Sequence, residues 1–115
     1  MHLPFSTDSL QTPCYVTDIA ALKRNGEILK SVQQETGCKI LLAQKAFSMF
    51  ATYPILKPYL AGTTASGLYE AKLGREEMGG EVHIFSPAYP EQDFLEICAI
   101  SDHIVFNSFH QWQVH

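Results

Sequence analysis

The chain has 115 residues, 46% of them hydrophobic, and eight Lys and Arg stand against twelve Asp and Glu for a formal net charge of -4. That length suits one domain with a sizeable core, and mild acidity argues against a nucleic-acid or anionic-membrane surface, either of which needs clustered positive charge. No apolar stretch approaches the roughly 20 residues of a bilayer span, and Met1-His2-Leu3-Pro4-Phe5 lacks the basic start and apolar core of a signal peptide. A cytoplasmic protein without membrane association is the expectation.

Three cysteines, Cys14, Cys38 and Cys98, are far apart and form no Cys-x-x-Cys pair. They read as reduced, small core residues. The five histidines, His2, His83, His103, His110 and His115, show no i,i+4 pairing, so no metal site is expected.

Thr12-Pro13-Cys14-Tyr15-Val16-Thr17 reads as a short strand. Asp18 is placed to cap a helix over Ile19 to Glu35, with Ala21, Leu22, Ile28, Leu29 and Val32 near helical spacing. Gly26 weakens that helix and Gly37 stops it. Lys39-Ile40-Leu41-Leu42-Ala43 is a continuous apolar run, as in a parallel strand covered on both faces. Ser48 to Leu60 reads as a helix interrupted near Pro54 and Pro58, and Gly62-Thr63-Thr64-Ala65 as a weaker strand. Ser66 is a candidate cap for a helix from Gly67 to Leu73, closed by Gly74. Glu81 to Ser86 is the next strand and Pro90 to Ala99 the next helix, opened by proline and acids. His103 to Phe106 is a further strand, after which Asn107 and Ser108 are candidate caps.

Strand and helix thus alternate at intervals of roughly 20 residues, which argues for βαβ units and a parallel sheet. An open doubly wound sheet and part of an eight-stranded barrel both fit. A whole barrel needs about 250 residues, and the sequence ends as a new helix begins at Phe109-His110-Gln111-Trp112. The reading is the N-terminal half of a (β/α)8 barrel, cut short. Trp112 and the aromatic residues near it are expected to be core, or exposed where the truncation removes what would cover them.

Lys45 lies two residues beyond the apolar strand, in Ala43-Gln44-Lys45-Ala46-Phe47. Active sites of both architectures gather at the carboxyl ends of parallel strands. Apolar neighbours disfavour an ammonium ion and favour the neutral amine that forms a Schiff base. From local sequence alone, a surface lysine on a βα loop is the better reading.

Ile40-Leu41-Leu42-Ala43-Gln44-Lys45-Ala46-Phe47 resembles the lysine strand of fold-type III pyridoxal-phosphate enzymes, the group of alanine racemase and the ornithine and diaminopimelate decarboxylases. Thr12 to Val16, Gly62 to Ala71, Glu81-Val82-His83, Ser86-Pro87-Ala88-Tyr89 and Ser101 to Ser108 are similar to one branch, the carboxynorspermidine/carboxyspermidine decarboxylases. The matches run in order from about Thr12 to Trp112.

The resemblance implies that Lys45 carries pyridoxal 5'-phosphate as a Schiff base. It implies decarboxylation of carboxynorspermidine or carboxyspermidine to norspermidine or spermidine, in polyamine biosynthesis. Ser66, Ser86 and Tyr89, with Pro87, are candidate linings of the cofactor pocket, although Ser66 reads equally as a helix cap. Related decarboxylases often have an acid where Thr63 stands. Glu70 is either a supporting group near the site or a solvated helix carboxylate, and His83 reads as structural. The family pattern assigns residues 1–18 to a strand segment of a C-terminal β-domain and 19–115 to a partial barrel, with a homodimer in the parent enzyme. The later strands that would bring the phosphate-binding loop are absent, so the chain alone is expected to be inactive. Another fold-type III decarboxylase, a non-catalytic single-barrel cofactor-binding protein, and an interaction module with an incidental lysine are the alternatives.

Overall fold

In the computed structural model, which describes residues 6–115, Asp18 opens the first helix. Its carboxylate accepts a hydrogen bond from the Ala21 amide at 2.9 Å, relieving one unpaired donor of α1 (Ile19–Thr36). Gly37 ends that helix at φ 72°, a conformation glycine adopts without steric cost, and its amide donates to the Gln33 carbonyl.

Four strands follow, β1 (Leu41–Ala43), β2 (Gly62–Ala65), β3 (Glu81–Phe85) and β4 (His103–Val105), in one parallel sheet of order β1-β2-β3-β4. Helical segments lie between them: a 3-10 turn (Phe50–Thr52) running into α2 (Tyr53–Leu56), then α3 (Leu68–Leu73), and α4 (Glu91–Ile100); α5 (Phe109–Val114) follows β4. Strand order follows chain order without reversal. A doubly wound sheet has a reversal, and its ligand crevice sits there.

Register and side-chain alternation divide the sheet into two faces. Leu42, Thr63, Ala65, Val82, Ile84 and Ile104 turn toward the helices. Val82 and Ile84 are fully buried there against Ala71, Phe94 and Ile97, while Leu42 packs on Tyr53, Leu56 and Met78. The opposite face carries Leu41, Ala43, Gly62, Thr64, Glu81, His83, Phe85, His103 and Val105. No helix covers it among the described residues, so β1, expected to be covered on both sides, is only half-buried.

Several expectations need correction. Residues 12–17 form no strand: they have no ladder partner among the described residues and Tyr15 is 95% exposed. β-propensity alone does not make a strand without a neighbour to satisfy its backbone. The stretch 48–60 is no continuous helix, only the 3-10 turn and the four residues of α2. Ser66 does not cap α3; Gly67 holds the cap position, and the Glu70 carboxylate reaches back to the Ser66 amide at 2.6 Å. Gly74 caps α3 as expected, but at φ -62° rather than in the left-handed region, so the chain runs on into a π-helical turn, Gly74–Met78; a side chain at Gly74 would collide with Thr63 Oγ1. All three cysteines are exposed, as Cys38 follows the α1 cap and Cys98 lies on the outward side of α4. Trp112 is also exposed.

Candidate functional site

The carboxyl ends of β1, β2 and β3 bring three of the candidate residues to one edge of the sheet. Lys45 lies two residues after β1, Ser66 directly after β2 and Ser86 directly after β3. Lys45 occupies a tight turn in which the amides of Ala46 and Phe47 both donate to the Ala43 carbonyl, at 3.0 and 3.2 Å. The lysine is exposed, and no carboxylate pairs with it among the described residues.

What holds this turn is Gln44, a residue whose importance was not legible in the sequence. Its side chain is 1% exposed. Its amide nitrogen donates to the Glu70 carbonyl at 2.7 Å, its side-chain oxygen accepts from the Tyr53 hydroxyl at 3.2 Å, and its main-chain N–H donates to the Thr64 carbonyl at 3.2 Å. Gln44 thereby links β1, β2, α2 and α3 beside Lys45. Burial, followed by the charge of Glu70, pushes the Tyr53 phenol above its ordinary pKa, so it remains a neutral donor. Glu70 is thus no free solvated carboxylate: its carboxylate caps α3 while its carbonyl anchors Gln44.

Ser66 itself is exposed. The Ser86 hydroxyl donates to the Ala88 carbonyl at 2.8 Å, and the Ser86 amide donates to the Tyr89 hydroxyl at 3.1 Å. Tyr89 is buried, and its hydroxyl donates in turn to the Val105 carbonyl at 2.8 Å, joining the ends of β3 and β4. Burial pushes its phenol pKa up. Here Tyr89 shapes the strand ends rather than offering a free hydroxyl. Gln111 continues this bracing: it is buried and donates to the carbonyls of Ser86 and Pro87, while its oxygen accepts from the Asn107 amide at 2.9 Å. Thr63 is buried on the helix side of the sheet, with no hydrogen-bond partner for its hydroxyl.

His83 is not isolated. It stands beside His103 with ring centroids 4.2 Å apart, and its Nε2 lies 3.0 Å from Glu81 Oε2. Sequence spacing placed no two of the five histidines together; the sheet register does.

No family model matches the chain. A curated carboxynorspermidine/carboxyspermidine decarboxylase from Campylobacter jejuni is 44% identical over 109 residues, covering 92% of this chain and 28% of that protein. One from Herminiimonas arsenicoxydans is 40% identical over 104 residues, with 90% and 28% covered. A carboxyaminopropylagmatine decarboxylase from Synechocystis is 41% identical over 104 residues, with 90% and 27% covered. The crystal structure of Campylobacter jejuni carboxynorspermidine decarboxylase in complex with norspermidine superposes with a TM-score of 0.89 at 44% identity, over 91% of this chain and 29% of that one. The chain therefore spans little more than a quarter of the length of these relatives, and its parallel α/β sheet matches theirs. No helix among the described residues is long and apolar enough to cross a membrane.

Proposed function

We propose that this chain is the lysine-bearing portion of a carboxynorspermidine/carboxyspermidine-type decarboxylase, and that Lys45 is its attachment point for pyridoxal 5'-phosphate. The observation that carries the reading is a lysine free of any carboxylate partner, on a braced turn at the carboxyl end of β1, inside a segment 40–44% identical to decarboxylases so named. The four sequential strands are then the first half of a (β/α)8 barrel, and the open face of the sheet is its interior. Residues 12–17, unpaired here, belong to the strand that joins a C-terminal β-domain, and the parent enzyme is a homodimer.

The residues present fit the cofactor's aldehyde but not its phosphate. Lys45 offers the primary amine, and the exposed hydroxyl of Ser66 lies on the same edge. Barrel phosphate sites are usually built from loops after the seventh and eighth strands, and this chain carries four. When bound, pyridoxal phosphate supplies the electron sink for the pair left as the substrate's carboxylate departs. This chain's own part is positional. Gln44 fixes the height of the turn, so that the amine is presented at the mouth rather than toward the helices. Tyr89 and Gln111 hold the neighbouring strand ends in place and keep Ser86 close to them. The substrate class is a polyamine carrying an α-amino acid group.

Borohydride reduction after incubation with pyridoxal phosphate, followed by peptide mapping, tests the assignment. Label concentrated on Lys45 and lost in Lys45→Met supports it. Label spread evenly over the six lysines, with Lys45 no more reactive than Lys23 or Lys57, overturns it. Carbon dioxide release from carboxynorspermidine by a chain extended to the relatives' length tests the reaction; release from diaminopimelate instead would favour a different decarboxylase.

A further inference from the structure

We propose that Glu81, His83 and His103 form a binding site for a divalent cation of the zinc class on the open face of the sheet. The inference rests on the geometry of these three residues and not on any group at Lys45.

Backbone register builds the cluster. β3 and β4 pair with His83 opposite His103, and Glu81 lies two residues before His83, hence on the same face. Glu81 Oε2 is 3.0 Å from His83 Nε2 and 4.0 Å from His103 Nε2, and one ligand atom from each of the three residues lies within 4.8 Å of the others. Zinc bonds of about 2.0–2.2 Å to nitrogen and oxygen put tetrahedral ligand atoms roughly 3.3–3.5 Å apart. The 3.0 and 4.0 Å separations bracket that spacing. Two imidazoles and a carboxylate suit zinc, cobalt or nickel, whereas calcium and magnesium prefer oxygen ligands alone. Three protein ligands leave a fourth position for water.

The surroundings leave room for an ion. Gly62 and Thr64 of β2 lie beside Glu81 and His83 in register, so the neighbouring strand puts little bulk over them. All three side chains are partly accessible, which gives an ion a way in. Lys39 pairs with the other Glu81 oxygen, Oε1, and so orients the carboxylate with Oε2 toward the histidines. Supporting contacts of this kind steer ligands in metal sites. Binding replaces the contact between Glu81 and His83 with a shared ion: each imidazole binds as the neutral ring with its proton on Nδ1 and its Nε2 lone pair on the metal. The simpler account is a histidine hydrogen-bonded to a carboxylate, which needs no ion and predicts no stoichiometric binding.

Cobalt(II) titration of the purified full chain, read by the visible absorption of a four-coordinate site and by displacement with zinc, separates the two. One ion per chain is expected. His83→Gln combined with His103→Gln should weaken binding by more than about 10-fold, the loss typical of disturbing even supporting residues of a metal site, and Glu81→Gln should weaken it too. His83→Cys retains a ligating atom and should keep zinc binding, which guards against mistaking a folding defect for a lost ligand. No cobalt uptake, or uptake kept by His83→Gln/His103→Gln and abolished by His110→Ala/His115→Ala, overturns the proposal.

Discussion

The Tyr53 hydroxyl donates to the buried Gln44 oxygen at 3.2 Å, and that contact ties the turn carrying Lys45 to the helix layer beneath it. Lys45 is exposed, but the residue before it is locked. A site built this way separates presentation from anchoring, as rigid support of a functional group requires.

Gln44→Leu should therefore destabilise the protein by about 1–3 kcal/mol, because it leaves the Tyr53 hydroxyl without its acceptor in a dry environment. Urea denaturation measures it. Unchanged stability would show that these contacts are replaced by water.

Lys45→Met should leave stability within about 0.5 kcal/mol of the parent, since an exposed side chain without a partner contributes little. The same variant should lose its reductive pyridoxal label entirely. Thermal melts and mass spectrometry on one preparation give both readouts, and a large drop in melting temperature would contradict the structure around the turn.

Gly26→Ala sets two rules against each other. Alanine is favoured over glycine in a helix by about 1 kcal/mol. A methyl group at this position, however, would lie 2.6 Å from the ring of Tyr59, at atoms near the ring's root that cannot swing aside. Overpacking typically costs about 1–3 kcal/mol, so the variant should be less stable despite its better helix propensity. A rise in the denaturation midpoint would show that Tyr59 moves freely.

Asp102 gives the acid limb of stability a definite sign. The Val82 amide, at 2.8 Å, and then the Arg75 guanidinium hold its carboxyl below the ordinary carboxylate range, against the upward push of burial. A group whose folded pKa is depressed contributes stability that is present above its unfolded pKa and lost as pH falls through the folded value. Asp102→Asn should flatten part of the stability loss between pH 5 and the acid end, roughly the range over which depressed carboxylates titrate, while lowering stability at neutral pH. Denaturant midpoints across that range test it; an acid limb identical to the parent's would assign the loss elsewhere.

Much of the strand and helix order was legible because its signals are local. The Asp18 cap, the Gly37 stop, the apolar run before Lys45 and the acids opening α4 each act within a turn of themselves. Contacts made across long separations were not legible. Gln44 finds Glu70 26 residues away, Gln111 finds Ser86 25 residues away, and His83 meets His103 only through register. Gly74 was legible as the end of α3 but not for its packing: a side chain there would meet Thr63 Oγ1 on β2. The cysteines misled because small, weakly polar residues read as core wherever they fall, and only the packing shows Cys38 and Cys98 facing outward.

The sheet's sequential order reaches beyond the site. Leu41 pairs with Gly62, Gly62 with Glu81 and His83 with His103, so each new strand meets one about 20 residues upstream. Closing loops of such similar, modest length carries a nearly constant entropic cost. Each strand and helix added during synthesis can dock on the ones already made, without waiting for distant sequence. Such a chain grows like a wall laid course by course, each strand resting on the one before it.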